Sequence, residues 1–220
     1  MRNILYLTLA IVFVLIAGCG EDNPPTPTPI PDVEPVDVTK TNDTKIYMHY
    51  MPWFDTPEFS GDWSSHWRMA NKNPDNFLSN GNRQIASHYY PLIGPYDSED
   101  RDVIDYHLLL MKYAGVDGIL IDWYGKYDVA DYKSNLDNSN AIINRLEDVG
   151  LEYAIVYEEF TAEFVANATN NTDIQAAQGD MTYMESRYFS DDYYIHIDGN
   201  PLLLTFGPRY FNNTAKWNDI

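Results

Sequence analysis

The chain has 220 residues, with 33 acidic against 14 basic side chains and a formal net charge of −19. Phosphate binding needs clustered Lys and Arg, so this balance excludes nucleic acid and argues against a peripheral grip on anionic lipid. It favours a neutral or cationic ligand. The single cysteine, Cys19, excludes an intrachain disulfide and a cysteine metal site.

At the N-terminus Arg2 precedes an apolar run over residues 4–17, too short to remain across a bilayer. It ends in Ile16-Ala17-Gly18-Cys19, the pattern of a bacterial lipoprotein cleavage site. Small residues at Ala17 and Gly18 suit a tight protease pocket, and the Cys19 thiol receives the diacylglycerol. Residues 1–19 therefore read as a lipoprotein signal peptide with Cys19 as the lipidated residue. Several acyl chains there hold a protein on a membrane where one chain does not. The acidic Glu21 and Asp22 just after it point to the bacterial outer membrane or cell surface, with membrane contact only through the lipid. Residues 20–44, rich in alternating Pro and Thr, read as a semi-rigid polyproline linker. At ~3.1 Å per residue its stalk, from about Asn23 to Val38, spans roughly 50 Å.

Residues 45–220 read as one globular segment with five short apolar runs. These are 46–53 (IYMHYMPW), 84–90 (QIASHYY), 116–123 (VDGILIDW), 151–158 (LEYAIVYE) and 201–206 (PLLLTF). A helix is expected between the second and third. Ser98 caps it, Glu99 and Asp100 suit its positive end, Ile104, His107, Leu108 and Met111 share one face, and Gly115 stops it. Further helices are expected over 140–149, stopped by Gly150, and over 174–187. Strands alternating with helices predict an α/β fold with a parallel sheet. Each run turns aromatic or acidic at its C-terminal end, where a (β/α)8 TIM-type barrel builds its active site. A doubly wound sheet is the competing fold, but it usually carries a Gly-rich phosphate turn, which this sequence lacks. Roughly 175 residues follow the linker, against ~250 for a complete barrel. The expectation is a partial barrel of about five βα units, a fragment of a longer domain.

The candidate chemistry lies at those strand ends. Asp122 and Glu158 end the third and fourth runs, and adjacent strands lie about 4.8 Å apart. A carboxyl pair of this kind, with one pKa raised by an apolar setting, is what glycoside hydrolysis requires. The bland alternative has Asp122 capping a turn and the glutamates binding Arg or backbone amides. Adjacent Glu158 and Glu159 point to opposite faces, so one of them at most enters the site while the strand continues. Tyr50, Trp53, Tyr89, Trp123 and Tyr124 place rings near the same end, and sugars stack their C–H faces on such rings. For any single ring, a core role is the simpler reading. His88 joins them as a binding candidate, whereas His107 and His196 read as structural. The histidines have no metal-ligand spacing, and no Walker loop, dinucleotide fingerprint or Gly-x-Ser-x-Gly elbow occurs, so neither metal nor cofactor is expected.

Three phrases carry a family resemblance: YMHYMPW at 47–53, SHYYPLIGPYDS at 87–98 and GILIDWYG at 118–125. With residues 106–111, 153–159 and 202–208 they resemble glycoside hydrolase family 71/99 proteins across nearly everything after residue 45. The resemblance implies a (β/α)8 catalytic domain acting on α-linked glycans. In family 99 this means endo-α-mannosidases or mannanases, and in family 71 it means α-1,3-glucanases. It also implies that two glutamates of a Trp-Asn-Glu-like motif late in the barrel do the chemistry. Trp217-Asn218-Asp219 is only superficially similar and comes too early, so that pair is expected beyond residue 220. The matching positions, Tyr50, Trp53, His88, Tyr89, Asp122, Tyr124 and Glu158, then supply cleft walls for an oligosaccharide or polysaccharide, with Trp123 and Glu159 as neighbouring binding candidates. Such a segment is expected to be inactive alone. The alternative is a non-catalytic glycan-binding lipoprotein of the cell surface.

Overall fold

A computed structural model describes residues 39–41 and 43–220. The signal peptide, Cys19 and the linker as far as residue 38 lie outside the described residues.

Strands β1 (Tyr47–Tyr50), β2 (Gly118–Trp123), β3 (Glu152–Tyr157) and β6 (Leu203–Thr205) form a sheet in the order β1-β2-β3-β6. Every neighbouring pair is parallel. A short antiparallel pair, β4 (His196–Ile197) and β5 (Asn200–Pro201), immediately precedes β6. The four-stranded sheet is open, and it corrects the expectation of five units. The run at 84–90 is not a strand, because β1 pairs directly with β2 and leaves no slot between them. That run belongs instead to a long excursion after β1. There Ile85 packs with Trp63 and Trp67, and the Ala86 N–H donates to the Trp67 carbonyl at 2.9 Å. Tertiary burial of Ile85 overrides the local strand preference of its neighbours.

The excursion carries the short helix α1 (Ser65–Arg68) and leads into α2 (Arg101–Tyr113). The cap of α2 is Asp100, which accepts from the Asp102 N–H, rather than Ser98. The Ser98 hydroxyl instead accepts from the Phe54 N–H and ties the excursion to the helix start. Helix α3 (Tyr132–Val149) begins eight residues before the expected 140 and ends where Gly150 adopts φ +65°. That left-handed turn returns the chain into β3. Helices α4 (Thr161–Ala168) and α5 (Asp173–Arg187) connect β3 to the β4–β6 region. Thr172 and Gln175 form a reciprocal capping box at the start of α5, and α6 (Thr214–Asp219) follows β6.

The core lies between the sheet and these helices. Ile119, Ile121 and Trp123 of β2 and Tyr153, Ile155 and Tyr157 of β3 meet Ile104, Leu108, Leu146, Met184 and Tyr188. Alternate residues of the strands thus face the helices, and the remaining set faces the opposite, concave side.

Candidate functional site

Strand parity decides which candidates reach that concave side. Register pairs His49 with Leu120 and Tyr50 with Ile121, so His49 shares a face with Asp122 while Tyr50 turns toward the helices. The Tyr50 hydroxyl accordingly lies 3.1 Å from Nδ1 of His107 on α2. Trp123 follows the same rule. It is fully buried, with its ring stacked 5.9 Å from that of Tyr183 on α5. Both were expected on the sugar side, and both belong to the helix-facing layer.

Four residues, one from each strand of the sheet or just past its end, form the upper layer of the concave face: His49, Asp122, Glu158 and Phe206. The His49 and Phe206 ring centroids are 5.9 Å apart, and His49 Nε2 lies 3.9 Å from Asp122 Oδ1. Asp122 is 1% exposed, and its Oδ1 has no hydrogen-bond partner among the described residues. Burial, the charge of Glu158 and a side-chain contact within hydrogen-bonding reach of Glu158 push the Asp122 carboxyl up to about 7. Burial also raises Glu158, while the contact with Asp122 and the charge of Arg209 oppose that rise. Of the two, Asp122 is the carboxyl that burial and its neighbour's charge favour in the protonated form. Burial lowers His49 below the ordinary histidine range.

The turn after β2 is fixed from behind. Asn135 on α3 donates to the Asp122 carbonyl and accepts from the Tyr124 N–H, both at 3.1 Å. Buried Asp180 on α5 accepts from the Lys126 N–H and the Tyr157 hydroxyl, each at 2.9 Å. Burial raises the Asp180 carboxyl to about 7 against those two bonds. Tyr124, so held, approaches an aromatic group made by Trp53 and His66. Its ring centroid is 6.2 Å from that of Trp53, and its hydroxyl is 3.4 Å from His66 Nε2. Sequence reasoning gave His66 no role. Its only local signal was its place between Trp63 and Trp67, and its partners are supplied by residues distant in the chain.

Glu159 takes the bland alternative. It is fully buried and accepts from the backbone N–H groups of Arg209 at 2.6 Å, Tyr210 at 2.8 Å and Phe211 at 3.1 Å. It anchors the loop after β6, with both of its oxygens taken up by backbone N–H groups. His88 and Tyr89 lie exposed on the excursion, their rings 4.6 Å apart, and the structure does not bring them to Asp122. His107 and His196 have the structural partners expected of them, Tyr50 for the first and two backbone carbonyls for the second.

A cavity of about 750 Å³ opens beside this site, bordered by Asp55, Trp63, Ser65, Asp131, Ser134 and Asn138. Neither Asp122 nor Glu158 lines it. Asp131 links the two regions, being 3.6 Å from His66 Nε2 and accepting from Ser65 Oγ at 2.9 Å. Among the described residues there is no group of three or more His, Cys, Asp or Glu side chains arranged to hold a metal, and no helix is long and apolar enough to cross a membrane.

Several known proteins are similar to this chain. A glycoprotein endo-alpha-1,2-mannosidase of Xenopus laevis is 31% identical over 88 residues, covering 36% of this chain and 19% of its own. That of Rattus norvegicus is 25% identical over 152 residues, covering 65% of this chain and 31% of its own. The chain therefore spans about a fifth to a third of the length of these curated relatives. Among solved structures, the GH99 endo-alpha-mannosidase of Bacteroides thetaiotaomicron superposes with a TM-score of 0.54 at 21% identity. It covers 73% of this chain and 44% of its own length. That likeness shows a TIM-barrel-like α/β fold, of which the four parallel strands form an open arc. Of the two families that the sequence phrases resemble, it is "Glycosyl hydrolase family 99" whose model matches, over residues 41–220. The chain belongs to glycosyl hydrolase family 99.

Proposed function

We propose that this protein acts on α-linked glycans as an endo-α-mannosidase-like glycosidase, and that His49, Trp53, Asp122, Tyr124 and Glu158 form one wall of its sugar cleft. The four strands are then consecutive staves of a (β/α)8 barrel, with the concave face toward the barrel axis. The observation that carries the reading is the Asp122–Glu158 pair, set at the C-terminal ends of adjacent parallel strands beside an aromatic group, with Asp122 raised by burial and by the charge of Glu158. Glu158, the more exposed of the pair, accepts from a sugar hydroxyl, and buried Asp122 stands behind it. Half-buried Trp53 supplies a flat apolar surface of the kind that pyranose C–H faces cover.

The separation of the two carboxyls refines their role. Retaining glycosidases hold their pair about 5 to 5.5 Å apart, and inverting ones ~6.5 to 9.5 Å. Side chains within hydrogen-bonding reach of one another are closer than either. Glu158 accordingly binds a hydroxyl group with Asp122 behind it, and bond cleavage is left to another carboxyl pair, as the family resemblance implies. The same short separation favours a second reading, glycan binding without hydrolysis. Incubating the full-length protein with α-1,2-linked mannan distinguishes them. Release of reducing ends is the expected result, binding without release selects the second reading, and neither binding nor release sinks both.

Lipid attachment at Cys19 and display on the bacterial surface belong to the same proposal, supported by the cleavage-site pattern. Cys19→Ser is expected to move the protein from the membrane fraction to the soluble one. An unchanged distribution would count against the anchor.

A further inference from the structure

One imidazole beside the proposed sugar wall has no task in that reading. His66 lies parallel to the Trp53 indole, with centroids 4.2 Å apart and 3° between the planes. Its Nε2 reaches Tyr124 Oη at 3.4 Å and Asp131 Oδ2 at 3.6 Å. Its Nδ1 is buried without a hydrogen-bond partner among the described residues. A histidine serving only as packing would need neither a coplanar stack on a half-buried indole nor polar contacts confined to one edge. An unpaired acceptor lone pair costs less than an unpaired buried N–H, so the neutral ring carries its proton on Nε2, facing Tyr124 and Asp131. Burial holds the ring below the ordinary histidine range, with Asp131 opposing, so it is neutral at pH 7.

We propose that His66 is the positioning residue of the Trp53–Tyr124 platform: it covers one face of the indole, leaves the other to a sugar ring, and fixes the Tyr124 hydroxyl through Nε2. The inference rests on the glycan-cleft reading. A tilted or rotating indole presents less flat area to a pyranose, so fixing its plane before binding removes an ordering cost from association. Protonation disturbs this arrangement. An imidazolium carries an N–H at Nδ1, where no acceptor waits, and draws Nε2 toward Asp131, the carboxylate that faces it from the start of α3. Asp122 and Glu158 enter the balance through Tyr124, whose phenol both of them raise.

The test uses the full-length protein with α-1,2-mannobiose as probe. His66→Phe keeps the stack and removes the polar edge, whereas His66→Gln keeps a polar reach and removes the stack. Calorimetry at pH 7 is expected to show each binding roughly three- to tenfold more weakly than the parent, the scale of one aromatic contact. Adding His66→Gln to Trp53→Ala is expected to cost little beyond the lost Tyr124 contact, because the loss of the stack acts through the indole. A spectroscopic readout accompanies this. A protonated imidazole stacked on an indole quenches its emission, so the parent should lose tryptophan fluorescence as pH falls below the ordinary histidine range. That step should vanish in His66→Phe, and in Trp53→Phe should the first variant fail to fold. Parent-like affinity in both His66 variants, or a quenching step that persists in the variant, overturns the inference while leaving the cleft intact. No binding by the parent overturns the glycan reading and this inference with it.

Discussion

The carboxyls of Asp122 on β2 and Glu158 at the end of β3 lie within hydrogen-bonding reach, and Asp122 is driven up to about 7 by burial and by its neighbour's charge. An unfolded Asp titrates near 3.9, so from about pH 4 to 7 the folded state binds a proton that the unfolded state has released. Stability therefore falls as pH rises through that window. Asp180, also raised to about 7, adds a similar slope. Asp122→Asn removes only the first contribution. The melting temperature of the variant relative to the parent is expected to climb between pH 4 and 7 and to level off above. A difference that stays flat across the window would show that Asp122 ionises in the fold as it does in water.

His49 and Tyr50 are adjacent but separate cleanly in effect. Tyr50→Phe loses the hydrogen bond to His107 and should cost about 1 kcal/mol of stability. Mannobiose affinity should not change. His49→Ala touches the concave face, so it should weaken binding and shift the melting temperature little. Calorimetry and thermal melts of the two variants check this, and the reverse pattern would place Tyr50 in the cleft after all.

Glu159 receives three backbone N–H groups with its two oxygens. Gln at this position keeps one acceptor and turns an amide toward another donor, in a fully buried site. Urea denaturation is expected to show a loss of roughly 2–4 kcal/mol, more than one neutral hydrogen bond is worth, because each bond is charge-assisted. A loss below ~0.5 kcal/mol would mean that the loop after β6 holds without it.

Gly118 opens β2 between two neighbouring strands. A Cβ built there would lie 2.2 Å from the Glu152 carbonyl oxygen, a backbone atom that cannot swing aside. Gly118→Ala should destabilise by about 3 kcal/mol or prevent folding, at or above the upper range for overpacking. Gly81→Ala is the control, since its Cβ meets nothing within 4 Å and only its φ of +85° opposes the change. Soluble yield and melting temperature distinguish the two.

Much of this architecture was legible from local pattern. The runs at 116–123 and 151–158 contain β2 and β3, and Gly150 stops α3 where a positive φ is needed. Asp122 and Glu158 were legible as a pair because adjacent parallel strands end together. The run at 84–90 was misleading, since an apolar stretch with strand-like composition serves equally well as a buried loop, and Ile85 found its burial in the tryptophan cluster. The cap of α2 was misplaced by two residues, from Asp100 to Ser98, because both types can cap and only the fold engages Ser98 elsewhere.

What the sequence determined by itself was therefore the period of each element and the acidic and aromatic character of the strand ends. Those depend on neighbours within a turn or a strand. Which side chains of an end face the cleft was decided only by the tertiary structure, because one residue of register exchanges the two faces. That exchange removes Tyr50, Trp123 and Glu159 from the sugar side and brings in His49. His66 lies 58 residues from Tyr124 in the chain, and no local signal encodes a partnership that exists only once the excursion folds back over the sheet. The Asp122–Glu158 pair stands between these cases. Its residues could be named from the sequence, but the rise of the Asp122 carboxyl exists only where folding has removed the water.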